Sequence, residues 1–235
     1  MLTIQKIINT FFYPRFLYQK LIKDSDYVNL KKKKSLLEKV FYFYPTIVDA
    51  SSWSEGDVDA YRDPLNFIKL RPGLDSYFLE YFSDNIPVKA RILDLGCNSG
   101  RHLNALCKLG FLNLNGVDVM ETAFREFKKY FPDTFDKVVL KKDFFQRFLL
   151  NNSTQFDVIY TIGATIELVH PSFDIVKLLT RNAKTDILLL IQPNAHNYPR
   201  FYKHEFYRHG FKVFFEKKLS NTHVFYHFKS LDDCK

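Results

Sequence analysis

The chain of 235 residues carries 34 Lys and Arg against 26 Asp and Glu, a net charge of +8, with 46% hydrophobic and 26% charged residues. That balance excludes wholesale disorder, and 8 Gly with 9 Pro exclude a collagen-like or repetitive chain. Cys97, Cys107 and Cys234 make neither a disulfide framework nor a zinc spacing, so a reducing, cytoplasmic setting is expected.

Residues 1–30 mix apolar and basic side chains. Ile4, Ile7, Ile8, Phe11 and Phe12 recur at helical spacing until Pro14 interrupts them. The segment reads as a helix packed on its own domain, with a membrane-surface helix as the other reading. It lacks the apolar core and cleavage site of a signal peptide, and no apolar run is long enough to span a bilayer. The lysines at 31–34 open an exposed helix whose stripe of Leu36, Leu37, Val40, Phe41 and Tyr44 stops at Pro45. Residues 49–64 are polar and turn-rich around Trp53, and read as a loop. Pro72 and Gly73 then open a helix through Leu74, Tyr77, Phe78 and Tyr81, ending within 83–87. The basic excess concentrates in 1–40 and again in 196–218. It suits either an anionic partner or a plain solvated basic face.

From Ala90 the texture changes to short apolar runs separated by amphipathic stretches. Strands are expected at 92–95, 112–119, 137–140, 156–160, 187–191, 212–216 and 223–228, with helices at 101–109, 121–130, 171–181 and 200–208. Strands alternating with helices predict an α/β fold built on a mostly parallel sheet. The last two strands have no helix between them and should form an antiparallel hairpin. Residues 1–87 are expected to be a helical extension and substrate-side lid, and 88–235 the main domain.

The sharpest motif is Asp94-Leu95-Gly96-Cys97-Asn98-Ser99-Gly100, which follows a buried strand and opens a helix. Its glycines permit a tight turn and close approach of a ligand at the carboxyl end of the strand. The spacing is not the nicotinamide fingerprint, and no Gly-Lys-Ser/Thr follows to make a phosphate loop. An acid beside the turn disfavours a pyrophosphate and favours a cation or amino group. Asp118, with Val119 after it, closes the second strand, where an acid accepts both hydroxyls of a ribose. Asp143 and Phe144 follow the third strand, where a carboxylate and a ring suit a heterocycle. Helix capping is the alternative role for both acids. Cys97 reads as a buried small residue of the turn rather than a nucleophile.

Together these motifs resemble the class I S-adenosylmethionine-dependent methyltransferases, over roughly 88–228. The resemblance implies a Rossmann-like sheet of seven strands, helices on both faces, an antiparallel hairpin at the end, and S-adenosylmethionine as cofactor. It places Asp94, Gly96, Cys97 and Gly100 around the methionine and ribose portion. Asp118 and Val119 fall on the ribose, Asp143 and Phe144 on the adenine, and Thr161 and Ile162 on the contact after strand four. Glu167-Leu168-Val169-His170 resembles a recurrent Glu-His-Val-type stretch of the family, with the histidine displaced.

Methyl transfer depends largely on alignment, and an oxygen acceptor usually adds the need for a base. His196, His170 and Glu167 are the candidates, all near strand ends that border the crevice. Trp53, Asp57, Asp59, Tyr61 and Arg62 are the candidate acceptor-binding residues, an aromatic and carboxylate set suited to a sugar or small amine. Arg200, Lys203 and His204 suit a phosphate on a nucleotide-linked sugar. The expected reaction is transfer to an O or N atom of a small molecule; transfer to tRNA or protein, and a non-catalytic cofactor-binding scaffold, are the alternatives. No metal is expected.

Overall fold

In the computed structural model, residues 64–163, 166–169, 174–192 and 201–232 are described. The run Ile92–Leu95 is buried at all four positions and forms β1, as a short apolar strand inside a parallel sheet must. Around it lie β2 (Leu114–Asp118), β3 (Val139–Lys142), β4 (Phe156–Ile162), β5 (Ala183–Ile191), β6 (Phe211–Lys218) and β7 (Val224–Ser230). Their order across the sheet is β3-β2-β1-β4-β5-β7-β6. The first five run parallel, and β7 is antiparallel to both of its neighbours. This is the expected Rossmann-like α/β architecture with its closing hairpin.

The helices are α1 (Leu74–Asn85), α2 (Arg101–Lys108), α3 (Glu121–Tyr130), α4 (Pro132–Phe135), α5 (Phe145–Asn151), α6 (Ile175–Asn182) and α7 (Tyr202–Arg208). They cover two cores, one on each face of the sheet. Leu93, Leu95, Ile159, Ile187 and Leu189 meet α6 and α7 through Ile175, Leu179 and Phe206. Ile92, Val158, Tyr160, Leu188, Leu190 and Phe225 meet α1 and α2 through Phe78, Phe82, Leu103 and Leu106. Alternation along each strand sends neighbouring residues to opposite cores. Among the described residues no helix is long and apolar enough to cross a membrane.

Several boundaries differ from expectation. The third strand, expected at 137–140, is Val139–Lys142, because pairing begins at Asn115↔Val139 and runs to Asp118↔Lys142. Lys141 and Lys142 are exposed members of an edge strand, where polar residues are tolerated and discourage further pairing. The fifth strand starts at Ala183 rather than 187, since Lys184, Thr185 and Asp186 extend the ladder at its polar end. The second strand is shorter than 112–119, with Leu112 exposed in the segment before it. Asp174 caps α6, its carboxylate accepting the Lys177 N–H at 3.0 Å, so that helix begins at Ile175 rather than 171. The helix expected at 200–208 is Tyr202–Arg208, and the hairpin strands extend beyond 212–216 and 223–228. The short helices α4 and α5 were not expected, since neither starts at a residue whose side chain caps it.

A buried polar chain fastens α1 to the sheet. The Tyr81 hydroxyl lies 2.9 Å from His227 Nδ1, and His227 Nε2 lies 2.6 Å from Asp186 Oδ1. Thr185 donates its hydroxyl to the other Asp186 oxygen at 2.6 Å. With His227 fully buried, this chain satisfies polar groups that would otherwise carry a large desolvation cost.

Candidate cofactor site

The glycine turn is built by the strands beneath it. Gly96 and Cys97 donate their N–H groups to the Val117 carbonyl at 2.9 and 3.0 Å, tying the turn to the end of β2. Gly96, Asn98 and Gly100 all have positive φ, at 81°, 45° and 71°. That geometry is open to glycine and tolerated by asparagine. Asn98 adds a local bond, its Oδ1 accepting the Ser99 N–H at 2.7 Å. Farther down β2, a Cβ on Gly116 would stand 2.8 Å from the Cys97 sulfur, so the strand can approach the turn only without a side chain there.

The acids gather at this edge. Asp94 pairs across the ladder with Gly116 and sits on the same face as Tyr160, whose hydroxyl donates to its Oδ2 at 2.8 Å. Burial pushes Asp94 up to about 7; the nearby Asp118 charge adds to this, while the Tyr160 bond and Arg101 oppose it. Asp118 accepts the Asn98 N–H at 2.8 Å with one oxygen and the Met120 N–H at 2.9 Å with the other. Burial raises its pKa and these backbone donors lower it, with the net direction upward. Asp143 follows directly on β3, its N–H donating to the Asp118 carbonyl at 3.0 Å. Its carboxylate is held by Arg147 Nε at 2.5 Å, and the Arg147 guanidinium lies over the Phe144 ring at 5.4 Å.

The expected cofactor residues therefore share one edge: Asp94 on β1, Gly96, Cys97 and Gly100 in the turn, Asp118 at the end of β2 with Val119 after it, and Asp143 and Phe144 after β3. Val119 and Phe144 are half-buried. Burial pushes the Cys97 thiol well up, with Asp118 and Asp94 adding to it. It stays a protonated packing group. At the end of β4, Thr161 is 1% exposed and its hydroxyl finds no hydrogen-bond partner among the described residues. Ile162 is the half-exposed residue there.

Glu167 lies in the 3-10 turn Ile166–Leu168 and is buried. Its Oε1 accepts the Gln192 N–H at 2.8 Å, joining the segment after β4 to the end of β5. His204 is exposed on α7, and Lys203 beside it pairs with Glu216 at 2.5 Å. His170, His196, Arg200, Trp53, Asp57, Asp59, Tyr61 and Arg62 lie outside the described residues.

A second charged group braces the turn, and its centre, Asp75, was not among the expected site residues. Asp75 is fully buried in the first turn of α1 and accepts Arg71 Nε and Nη2 at 3.1 and 2.8 Å. Arg101 Nε lies 3.4 Å from its other oxygen, and His102 Nε2 lies 3.2 Å from the first, poorly aligned for a hydrogen bond. Burial alone would raise this carboxyl, but the surrounding His102 and Arg71 hold it well below the usual carboxylate range. Arg101 also donates to the Lys69 carbonyl at 3.1 Å, and Ser99 Oγ to the Pro64 carbonyl at 3.0 Å. The segment 64–75 is thereby fastened onto the glycine turn. An Arg71–Asp75 pair at i,i+4 is visible in the sequence, but its partners on α2 are not. Tyr160 had a visible signal, a phenol hydroxyl directly after the apolar pair Val158-Ile159 of its strand.

Carboxyl oxygens are hydrogen-bond acceptors. Three such groups at successive strand ends, around a glycine turn, suit a ligand rich in donors: an amino group, vicinal hydroxyls and an exocyclic amine.

No protein-family model matches the chain, and no curated relative does. Solved structures do. Magnesium protoporphyrin IX methyltransferase from Synechocystis PCC 6803, with S-adenosylmethionine bound, is 11% identical with a TM-score of 0.58, the match covering 97% of this chain and 98% of that one. A S-adenosylmethionine-dependent methyltransferase from Clostridium acetobutylicum is 13% identical, TM-score 0.57, over 72% and 96%. The ribosomal protein L11 methylase of Lactobacillus delbrueckii subsp. bulgaricus is 16% identical, TM-score 0.52, over 76% and 92%. The strand order, the turn after β1 and these likenesses agree: the chain has the class I S-adenosylmethionine-dependent methyltransferase fold.

Proposed function

We propose that this protein is a methyltransferase that uses S-adenosylmethionine and delivers the methyl group to an O or N atom of a small molecule, a sugar or nucleotide-linked sugar. The observation that carries the cofactor is the gathering of Asp94, Asp118 and Asp143 about the glycine turn, tied by the Asn98-to-Asp118 and Asp143-to-Asp118 bonds of 2.8 and 3.0 Å. The residues fit that molecule by their chemistry. Asp94 suits the amino group, Asp118 the ribose hydroxyls, and Asp143 the adenine amine beside the Phe144 ring. The bound cofactor supplies an activated methyl on a sulfonium, and the chain's own task is to orient the acceptor against it. The small-molecule acceptor is supported by Trp53, Asp57, Asp59, Tyr61 and Arg62, with Arg200 and His204 for a phosphate. His196, His170 and Glu167 remain the proposed proton-handling set, Glu167 through the segment it holds. A reducing, cytoplasmic setting accords with Cys97 and Cys107, both free.

Calorimetric titration with S-adenosylmethionine and its demethylated product tests the reading. Both should bind, and Asp118→Ala should weaken the demethylated product by about tenfold to a hundredfold, about 1–3 kcal/mol, through loss of a charged acceptor for paired hydroxyls. Absence of binding to the unaltered chain refutes the reading.

The Asp94 environment adds a sign that can be read independently. In the ligand-free protein this group titrates at about 7. A cationic amino group placed beside it favours the ionised form, so binding expels the proton. Titrations at pH 6 in buffers of different ionisation enthalpy should show release of close to one proton, falling toward zero by pH 8. Proton uptake at pH 6 would remove Asp94 from the amino-group role.

A further inference from the structure

At the carboxyl end of β5, on the same edge of the sheet, stands a histidine that none of the motif reasoning singled out. His223 precedes β7, and the ladder between β5 and β7 pairs Ile191 with Val224, which sets His223 beside Gln192 at the carboxyl end of β5. The geometry is direct, with Gln192 Nε2 2.6 Å from His223 Nε2. Gln192 is also the residue whose N–H is held by Glu167. Alternation places both side chains on the face that carries Asp94 and Tyr160. Leu188 and Leu190 lead to Gln192 on that side, and His227 and Phe225 lead back to His223. The ring is half-buried, and its Nδ1 side meets Ser220 and Thr222 of the β6–β7 connection.

We propose that His223 receives the acceptor's proton during methyl transfer, its ring held through Nδ1 by Ser220 and Thr222, with the Gln192 amide occupying Nε2 until the acceptor takes its place. This rests on the methyltransferase reading above. The Gln192 amide nitrogen faces Nε2, so Nε2 is assigned as the unprotonated nitrogen. Nδ1 then carries the hydrogen toward Ser220 Oγ at 3.1 Å or Thr222 Oγ1 at 3.0 Å. An acceptor O–H or N–H replaces the Gln192 amide as the partner of Nε2. The acceptor's lone pair forms the new bond to the methyl carbon, and the carbon–sulfur bond breaks with its electrons left on sulfur. The acceptor's hydrogen passes as a proton to Nε2, leaving an imidazolium.

The charges around the ring keep it ready for this. Among the described residues, the charges of Arg71, before α1, and Asp75, in its first turn, act on the ring, and Glu167 acts through Gln192. Burial and then Arg71 hold His223 below the ordinary histidine value, and Asp75 offsets part of this. The ring is therefore neutral near pH 7, as a base must be.

The test is a histidine-ring NMR titration of the unaltered chain, saturated first with S-adenosylmethionine and then with its demethylated product. His223 is assigned through His223→Gln, or through His223→Asn if the first variant does not fold. The two ligands differ by a methyl and one positive charge at sulfur. A ring on the transfer side should therefore titrate at least about half a pH unit lower with the methylated form. Binding of both ligands with equal His223 titration would overturn the proposal while leaving the methyltransferase reading intact. Failure of both ligands to bind would overturn the reading and the proposal together.

Discussion

Replacing Asp75 with alanine is expected to destabilise the fold by about 3–5 kcal/mol, the largest loss of any single substitution considered. The carboxylate is fully buried and holds Arg71 directly, with Arg101 3.4 Å away and its side chain only 7% exposed. Without Asp75, Arg101 keeps its charge in a place where burial already depresses its pKa and Asp75 is the main opposing influence. Thermal unfolding should move down by about 6–20 °C in a protein of this size. A shift below 2 °C would mean that water replaces the carboxylate, and the bracing role would be wrong. Substituting Asp75→Leu together with Arg101→Met should recover part of the loss, because removing both charges removes the uncompensated one.

The same carboxylate sets an acid limb. Its folded pKa lies below that of the unfolded chain, so its contribution is complete at neutral pH. It is lost as pH falls from about 4 toward the folded value. Asp94 acts with the opposite sign. Its folded pKa of about 7 exceeds the unfolded value, so in the ligand-free protein it erodes stability as pH climbs from about 4 to about 7. The binding edge is thus held in place by one acid and kept under electrostatic tension by another.

The second large effect is expected at Gly100. An alanine Cβ there would lie 2.3–2.4 Å from three atoms of the Phe127 ring, in a backbone conformation with φ +71°. The left-handed backbone costs about 1–2 kcal/mol, and forcing a buried aromatic aside costs about 1–3 more. Gly100→Ala should therefore lose about 2–5 kcal/mol in urea unfolding. Gly73→Ala separates the two contributions, because its φ is +79° but nothing lies within 4 Å of the new carbon. If the two variants lost the same amount, the Phe127 contact would be immaterial.

Much of this edge was legible in the sequence because its signals are local. The turn from Asp94 to Gly100 announces itself by glycine spacing after an apolar run, and Asp118 and Asp143 by their positions at strand ends. What escaped was set by partners distant in the chain. Asp75 finds Arg101 and His102 on α2, Tyr160 finds Asp94 on β1, and His223 finds Gln192 across an antiparallel ladder. Periodicity says which face a residue occupies, but not which residue of another element waits there. The same limit explains β3. An edge strand with one solvated side follows the ladder it joins rather than its own apolar content.

The position of β7 between β5 and β6 carries a consequence for how the protein is made. A ribosome releases α1 early, yet the histidine that anchors its Tyr81 is 146 positions farther along. β6 emerges before β7 but touches the sheet only through it. Vectorial synthesis therefore leaves an unfinished layer, with Tyr77, Phe78 and Tyr81 of α1 waiting on Phe225, not yet translated. A nascent chain halted after β6 would lack two strands from its sheet rather than one.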